Sequence, residues 1–208
     1  MDLIGAFAGA RVYFIAQNHP GGYLTEPWRL FAVWEGGLAF FGGLLGATLA
    51  GFFYTRRHRV SFARVADLLA PAAPIAAAIG RIPCGLAGMD YGTPASVRWS
   101  VIYTSANSYA PLDGVPRHPV QFYELAGDLV IAGVLVKLRG KLTDGRLFLT
   151  YLVLFSALRL VLFFFRGDVP AVALGLTNGH WTALAILLVA VPWWLVRATR
   201  RLPRGRPV

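Results

Sequence analysis

The chain has 208 residues, of which 56% are hydrophobic and only 14% charged. Ordinary soluble domains carry about a quarter charged residues, so that class is excluded in favour of one all-α, polytopic membrane helix bundle over 1–208, with room for about six spans. The net charge of +10 is that of a nucleic-acid binder, but the charges sit at the ends of apolar segments. That placement fits an anionic lipid leaflet and excludes nucleic acid as the partner.

Apolar runs predict helices near 3–16, 36–55, 65–84, 119–137, 147–166 and 179–196. The opening MDLIGAFAGARVYFIAQN is apolar without a basic start, unlike a signal peptide. It reads as a short span entered abruptly, which leads us to expect a further segment before it. The second run, WEGGLAFFGGLLGATLAG, contains Gly42 and Gly46 at GxxxG spacing, a pattern that lets helices pack closely. The pairs Gly36–Gly37 and Gly42–Gly43 are denser than packing needs and would let a substrate or another backbone approach. The third run contains Pro71 and Pro74 and the last contains Pro192, as membrane helices tolerate when neighbours re-satisfy the freed carbonyls. Trp28, Trp34, Trp99, Trp181, Trp193 and Trp194 lie mostly near span ends, as an aromatic belt requires. Cys84 is the single cysteine. It excludes an intrachain disulfide and a multi-cysteine metal site.

Arg56, Arg57, Arg59 and Arg64 occupy one link, Lys137, Arg139, Lys141 and Arg146 the next but one, and Arg197, Arg200, Arg201, Arg204 and Arg206 the tail. Six crossings put all thirteen on one side, which is then cytoplasmic. Both ends are expected there, with a basic tail from about 197. The 17–35 segment, a long 85–118 loop and the 167–178 loop are expected outside.

Three arginines fall inside apolar stretches: Arg11 after GAFAGA, Arg81 in AAPIAAAIGRIPCGLAG and Arg159 in LVLFSALRLVLFFF. A guanidinium in hydrocarbon costs at least ~2.5–3.5 kcal/mol and cannot shed its proton. An anion is expected to meet it. Counted from the cytoplasmic charges Arg146 and Arg64, Arg159 lies roughly 20 Å and Arg81 roughly 25 Å along a helix, in the outer half of the bilayer. Arg166 is seven residues beyond Arg159, two turns on one face, with Ser156 on that face too. This set would hold a lipid phosphate. The structural alternatives are that Arg166 snorkels at the membrane edge, that Arg81 pairs with Glu124, and that Arg11 snorkels or pairs with Glu26 or Glu35.

The 85–118 loop supplies Asp90, Tyr91, Gly92, Arg98 and Asn107 and ends in RHPVQFYE. There His118, Gln121, Tyr123 and Glu124 cap and line the next helix. An intramembrane carboxylate such as Glu124 is a functional candidate, with an arginine as partner. His118 is a candidate proton acceptor, or else a helix-start histidine bonded to backbone. His19, His58 and His180 have no chemical partner in the sequence. No Ser/His/Asp spacing, HExxH, Walker loop or CxxC occurs, so hydrolase, zinc and nucleotide chemistry have no support.

The blocks GAFAGARVYFI, VWEGGLAFFGGLLG, FARVADLLAPAAPIAAAIGRIPCGLAGMDYG, RHPVQFYE and ALRLVLFFFRGD resemble, in order and spacing, the bacterial prolipoprotein diacylglyceryl transferases over nearly the whole chain. Members of that family show W-[DE]-G-G-x-x-x-H-G-G, A-P-x-x-P, G-R-x-G-N-F-x-N-x-E-x-x-G, R-H-P-x-Q-x-Y-E and F-R-x-x-x-E-F-x-R. Arg81 falls on the signature arginine and Gly92 on its closing glycine. Arg159 and Arg166 fall on the late arginines, and His118, Gln121 and Glu124 on their counterparts. The resemblance implies transfer of the diacylglyceryl group of phosphatidylglycerol to a lipobox cysteine thiol, releasing glycerol phosphate, at the cytoplasmic (inner) membrane of a bacterium. Phosphatidylglycerol, the prolipoprotein signal peptide and membrane lipids are the implied partners, with no metal or organic cofactor.

The expected catalytic set is Arg81, Arg159, His118, Asp90 and Glu124. Arg81, Arg159, Arg166, Gly42, Gly43, Gly92, Gln121 and Tyr123 are expected at the lipid phosphate and head group. The chain departs from the family pattern at four places: Phe41 stands for a histidine, Cys84 for an asparagine, Met89 (with Asp90 beside it) for an acid, and Phe163 for another acid. A first helix carrying a tyrosine is also expected from the resemblance. Two alternatives follow. One is a relative that binds anionic phospholipid or lipoprotein precursor without transfer. The other is a small-anion transporter, against which the lack of an internal repeat counts.

Overall fold

The computed structural model describes residues 2–17, 40–142 and 145–199. The chain divides into two compact units, Met1–Val65 and Ala66–Val208. In the first, α1 (Asp2–Gln17) packs along α2 (Phe40–Arg57). The contact is backbone on backbone. A Cβ added at Gly46 would lie 2.1 Å from the Gly5 carbonyl oxygen, and one at Gly9 would lie 2.3 Å from that of Gly42. Two glycine pairs at four-residue spacing therefore face each other, Gly5–Gly9 on α1 and Gly42–Gly46 on α2. Arg11 is buried, with its guanidinium over the Phe14 ring. Its expected partners Glu26 and Glu35 lie outside the described residues, as do Gly36, Gly37 and most of the 17–35 segment.

The helix expected over 65–84 is two helices, α3 (Phe62–Leu69) and α4 (Ala72–Ala87), bent by 43° at the break. Pro71 is the reason. It lacks an N–H to continue α3, and its fixed φ of −71° starts α4 instead. α4 runs to Ala87 and closes on Gly88, left-handed at φ 67°, with the Met89 N–H donating to the Cys84 carbonyl. That bond with a left-handed glycine is a Schellman stop.

α5 (Val120–Leu138) and α6 (Arg146–Leu162) follow, then a 3-10 turn at Phe163–Phe165, a short hairpin of β1 (Ala171–Ala173) and β2 (Leu176–Thr177), and α7 (Asn178–Thr199). α5 packs on α4 and α6, and α6 on α7. Ala70, Ile131, Leu135 and Leu147 form a buried apolar cluster between them. Asp67 fixes the start of α6, accepting from the Gly145 N–H at 2.7 Å and the Phe148 N–H at 2.9 Å. The hairpin was not expected. Its turn is built on Leu174 and Gly175, both at positive φ.

The chain is mostly helical. Among the described residues, two helices, Arg146–Phe165 and Asn178–Arg197, are long and apolar enough to cross a membrane, or three if the bent pair is one span. α5 has the length, but Glu124, Asp128 and Lys137 interrupt its apolar run. Polarity is inverted relative to a soluble domain. Gln121, Glu124, Asp128 and Ser156 are almost wholly buried, while Leu86, Val130, Val161 and Leu188 are exposed. Apolar side chains facing outward and polar ones facing inward suit a hydrocarbon surround.

Candidate active site

Three arginines reach one place from three segments of the second unit: Arg81 from α4, Arg159 from α6, and Arg166 from the stretch after the 3-10 turn. Glu124, one turn into α5, lies between them. Its Oε1 accepts from Arg159 Nη1 at 2.9 Å and lies 4.0 Å from Arg166 Nη1. Its Oε2 is 2.7 Å from Arg81 Nε. That N–H is not aligned for a directed hydrogen bond, and the contact is Coulombic.

Asp90 makes the second bridge. It follows the Gly88 stop in a left-handed conformation of its own, φ 60°. One oxygen pairs with Arg81 and the other accepts from Arg166 Nη2 at 2.7 Å. Asp168 holds the remaining edge of Arg166 through two 2.7 Å bonds, to Nε and Nη2. Three guanidinium groups thus share three carboxylates. Glu124 is the most deeply buried of them, and losing it would leave uncompensated guanidinium charge at a cost of about 3–5 kcal/mol. Each guanidinium carries five N–H donors, more than these contacts use.

The seven-residue spacing of Arg159 and Arg166 was expected to put both on one helical face. Instead α6 ends at Leu162, and Arg166 is extended (φ −73°, ψ 129°), bridged by its backbone to Gly92. The two still converge. The Arg166 side chain is only 7% exposed and is held by Asp90 and Asp168. Phe163 lies between the two arginines, its ring centre 5.9 Å from the Arg159 guanidinium carbon and 5.3 Å from that of Arg166. Phe155 adds a second face to Arg159 at 5.0 Å. Where the family pattern has an acid, this chain offers guanidinium–ring contacts.

The other expected residues frame the cluster. Gln121 is fully buried and donates to the Met89 carbonyl, with Tyr103 Oη also within reach. It clamps the 88–119 segment to α5. Tyr123 Oη accepts from Trp99 Nε1 at 2.6 Å and lies 3.1 Å from His118 Nδ1. His118 therefore has a side-chain partner, where a backbone one was the alternative, and its ring stands edge-on to Phe165. Gly92 is a backbone crossing: a Cβ there would meet the His118 carbonyl oxygen at 2.3 Å. The same segment is tied by Thr93 N–H to Phe165 O and Gly167 N–H to Tyr91 O. In the first unit, a Cβ on Gly42 would strike Tyr13 and Gly9, whereas Gly43 makes only ordinary contacts. Close packing accounts for Gly42 and Gly92 without a ligand. The Phe41 side chain lies outside the described residues.

His180, for which the sequence offered no partner, is buried at the start of α7. Its Nδ1 accepts from the Thr177 N–H, and Phe163 and Phe164 pack on its ring. On the exposed side of the 88–119 segment, the Val115 N–H, and Arg117 after it, hold the Asp113 carboxyl below the usual range.

Sequence reasoning missed Asp128, Asp168, Tyr103 and the bonding role of Trp99. Asp128 had a signal: a second acid one turn after Glu124 in an apolar helix. It is 1% exposed, and neither carboxylate oxygen has a hydrogen-bond partner among the described residues; the same holds for Ser156 Oγ. A buried polar group left unpaired costs about 1–3 kcal/mol. Among the described residues no group of His, Cys, Asp and Glu is arranged to hold a metal ion.

A family model described as prolipoprotein diacylglyceryl transferase matches residues 1–196. A protein of Geobacter sulfurreducens is 35% identical over 94% of this chain and 72% of its own length. Relatives from Nitrosomonas europaea and Cupriavidus pinatubonensis are each 31% identical, covering 98% and 99% of the chain and 77% and 75% of their own lengths. All three are named phosphatidylglycerol–prolipoprotein diacylglyceryl transferase. With a cluster of arginines inside an apolar helical frame and a match along almost its full length, the chain belongs to the prolipoprotein diacylglyceryl transferase family.

Proposed function

We propose that this chain transfers the diacylglyceryl group of phosphatidylglycerol to the thiol of a lipobox cysteine in a prolipoprotein signal peptide. The thiol sulfur attacks the glyceryl carbon that carries the phosphate. The carbon–oxygen bond breaks, glycerol phosphate leaves with the electron pair, and the thiol proton passes to a base. The observation that supports this most is the convergence of Arg81, Arg159 and Arg166 around Glu124 and Asp90. Fixed guanidinium groups in a low-dielectric site stabilise the charge that develops on a departing phosphate.

In this reading the carboxylates hold the guanidinium forks in place, and donors left over take the phosphate. Asp90 has both oxygens engaged by arginines, which favours His118 over Asp90 as the proton acceptor. Glu124 orients Arg81 and Arg159. Gln121 and Tyr123 brace the segment that carries Asp90. The chain would cross the bacterial inner membrane about six times, with both ends cytoplasmic and the 85–118 loop outside.

The test is transfer from phosphatidylglycerol vesicles to a lipobox peptide by the purified chain. Arg159→Ala is expected to lower the rate about 10²–10³-fold, the usual loss when one stabilising donor is removed. Full activity in that variant overturns the assignment. The second reading, lipid or precursor binding without transfer, is favoured by Phe163 at an acid position. It predicts retained phosphatidylglycerol, lost in Arg81→Ala, and no product.

A further inference from the structure

We propose that Asp128 and Ser156 form the subsite for the hydroxyl-bearing glycerol head of the donor lipid, beside the guanidinium groups that take its phosphate. This rests on the transferase reading and adds the residues that select the head group.

Two neighbouring helices carry the pair at matching levels. α5 and α6 lie antiparallel: Leu135 and Leu147 share one apolar cluster at one end, and the Glu124–Arg159 bond joins the helices at the other. Between these, a Cβ on Gly127 would touch Leu158, so each step down α5 matches a step back along α6. Asp128, one turn below Glu124, then comes level with Ser156, one turn back from Arg159. Both side chains are 1% exposed. Asp128 Oδ1, Asp128 Oδ2 and Ser156 Oγ are without hydrogen-bond partners among the described residues. Arg159 and Tyr151 of α6, Arg81 of α4 and Glu124 of α5 are the charged and titratable groups in electrostatic range of the carboxylate.

The donor–acceptor pattern selects the ligand. An ionised carboxylate accepts only, and it repels a phosphate, which therefore goes to the arginines. What Asp128 needs is a pair of donors about one helical turn, roughly 5 Å, from the phosphate site. The glycerol head of phosphatidylglycerol carries two hydroxyls on the three-carbon unit esterified to that phosphate. Both can donate to the carboxylate, with Ser156 as a further partner. An alkyl head of the same length leaves the carboxylate buried and unpaired, a discrimination that polar sites enforce strongly.

The experiment compares phosphatidylglycerol with phosphatidylpropanol, the same lipid without head-group hydroxyls, in transfer to a lipobox peptide and in competitive retention by the purified full chain. Wild type is expected to favour phosphatidylglycerol by at least about 10-fold, as hydrogen bonds to a charged group require. Asp128→Asn is expected to collapse that ratio to within a few-fold, and Ser156→Ala to reduce it partly. Arg81→Ala should weaken both lipids alike. Because the readout is a ratio within each variant, a general loss of folding does not imitate it. An unchanged ratio in Asp128→Asn overturns the proposal. If wild type transfers neither lipid, the transferase reading fails, and the retention ratio still decides the subsite.

Discussion

Between α1 and α2 the chain removes side chains so that backbones touch; around Glu124 it gathers the largest charged side chains it has, partly buried. Both solve the same problem, which is that apolar surroundings give helices no hydrophobic reason to associate with one another rather than with lipid. The glycine crossing gains only contact, spread over Gly5, Gly9, Gly42 and Gly46, and any added atom disrupts it. The arginine cluster gains strong, directed pairing, and any removed atom strands a charge. One region is intolerant of addition and the other of subtraction, so substitutions of opposite kind test them.

The largest effect on stability is expected from Glu124→Leu. It leaves Arg159 without its carboxylate and Arg81 with Asp90 alone, at about 3–5 kcal/mol. Unfolding of the purified chain in detergent measures it. Adding Arg159→Leu removes the stranded guanidinium and should recover most of the loss, because a buried pair replaced by apolar residues of similar volume is often neutral. If the double variant is no more stable than the single one, the cluster is not held by this pair.

Gly46→Val comes next. Its Cβ would lie 2.1 Å from the Gly5 carbonyl, and α1 must shift to admit it, at about 1–3 kcal/mol, the usual cost of overpacking. A disulfide-trapping or protease-accessibility assay on α1 reads the displacement. Gly80, where an added Cβ would meet no atom within 4 Å, should accept Ala without loss, and equal damage at both sites would break the contrast.

These two regions were not equally legible in the sequence. The apolar runs located α1, α2, α5, α6 and α7 to within a few residues, because hydrocarbon demands long stretches of apolar side chains, but they ran α3 and α4 together. Gly42–Gly46 stood out by its spacing, while Gly5–Gly9 was hidden among alanines that look equally small. Arg81, Arg159 and Glu124 were readable as charges where charge is costly. Their partnership was less so: Arg159 has no acid near it along the chain, and Glu124 reaches it across thirty-five positions. The break at Pro71 and the extended backbone at Arg166 came from local chain geometry that hydrophobicity does not encode. Asp128 was missed because it lay within a run read for its apolar content.

The smallest effect is expected at a polar group that organises a helix end. Asp67 accepts from the N–H groups of Gly145 and Phe148, satisfying two of the donors that the first turn of α6 leaves open. A carboxylate there also faces the positive end of the helix. Asp67→Ala should cost about 1 kcal/mol, the usual effect of losing a helix cap, and Asp67→Asn less, since its oxygen still accepts one bond. Hydrogen exchange should quicken at Gly145 and Phe148, while head-group selection by Asp128 and Ser156, the latter about three turns along α6 from that cap, stays unchanged. Faster exchange at Arg159 as well would mean that α6 moves as a unit, and that the cluster depends on its cap as much as on its own charges.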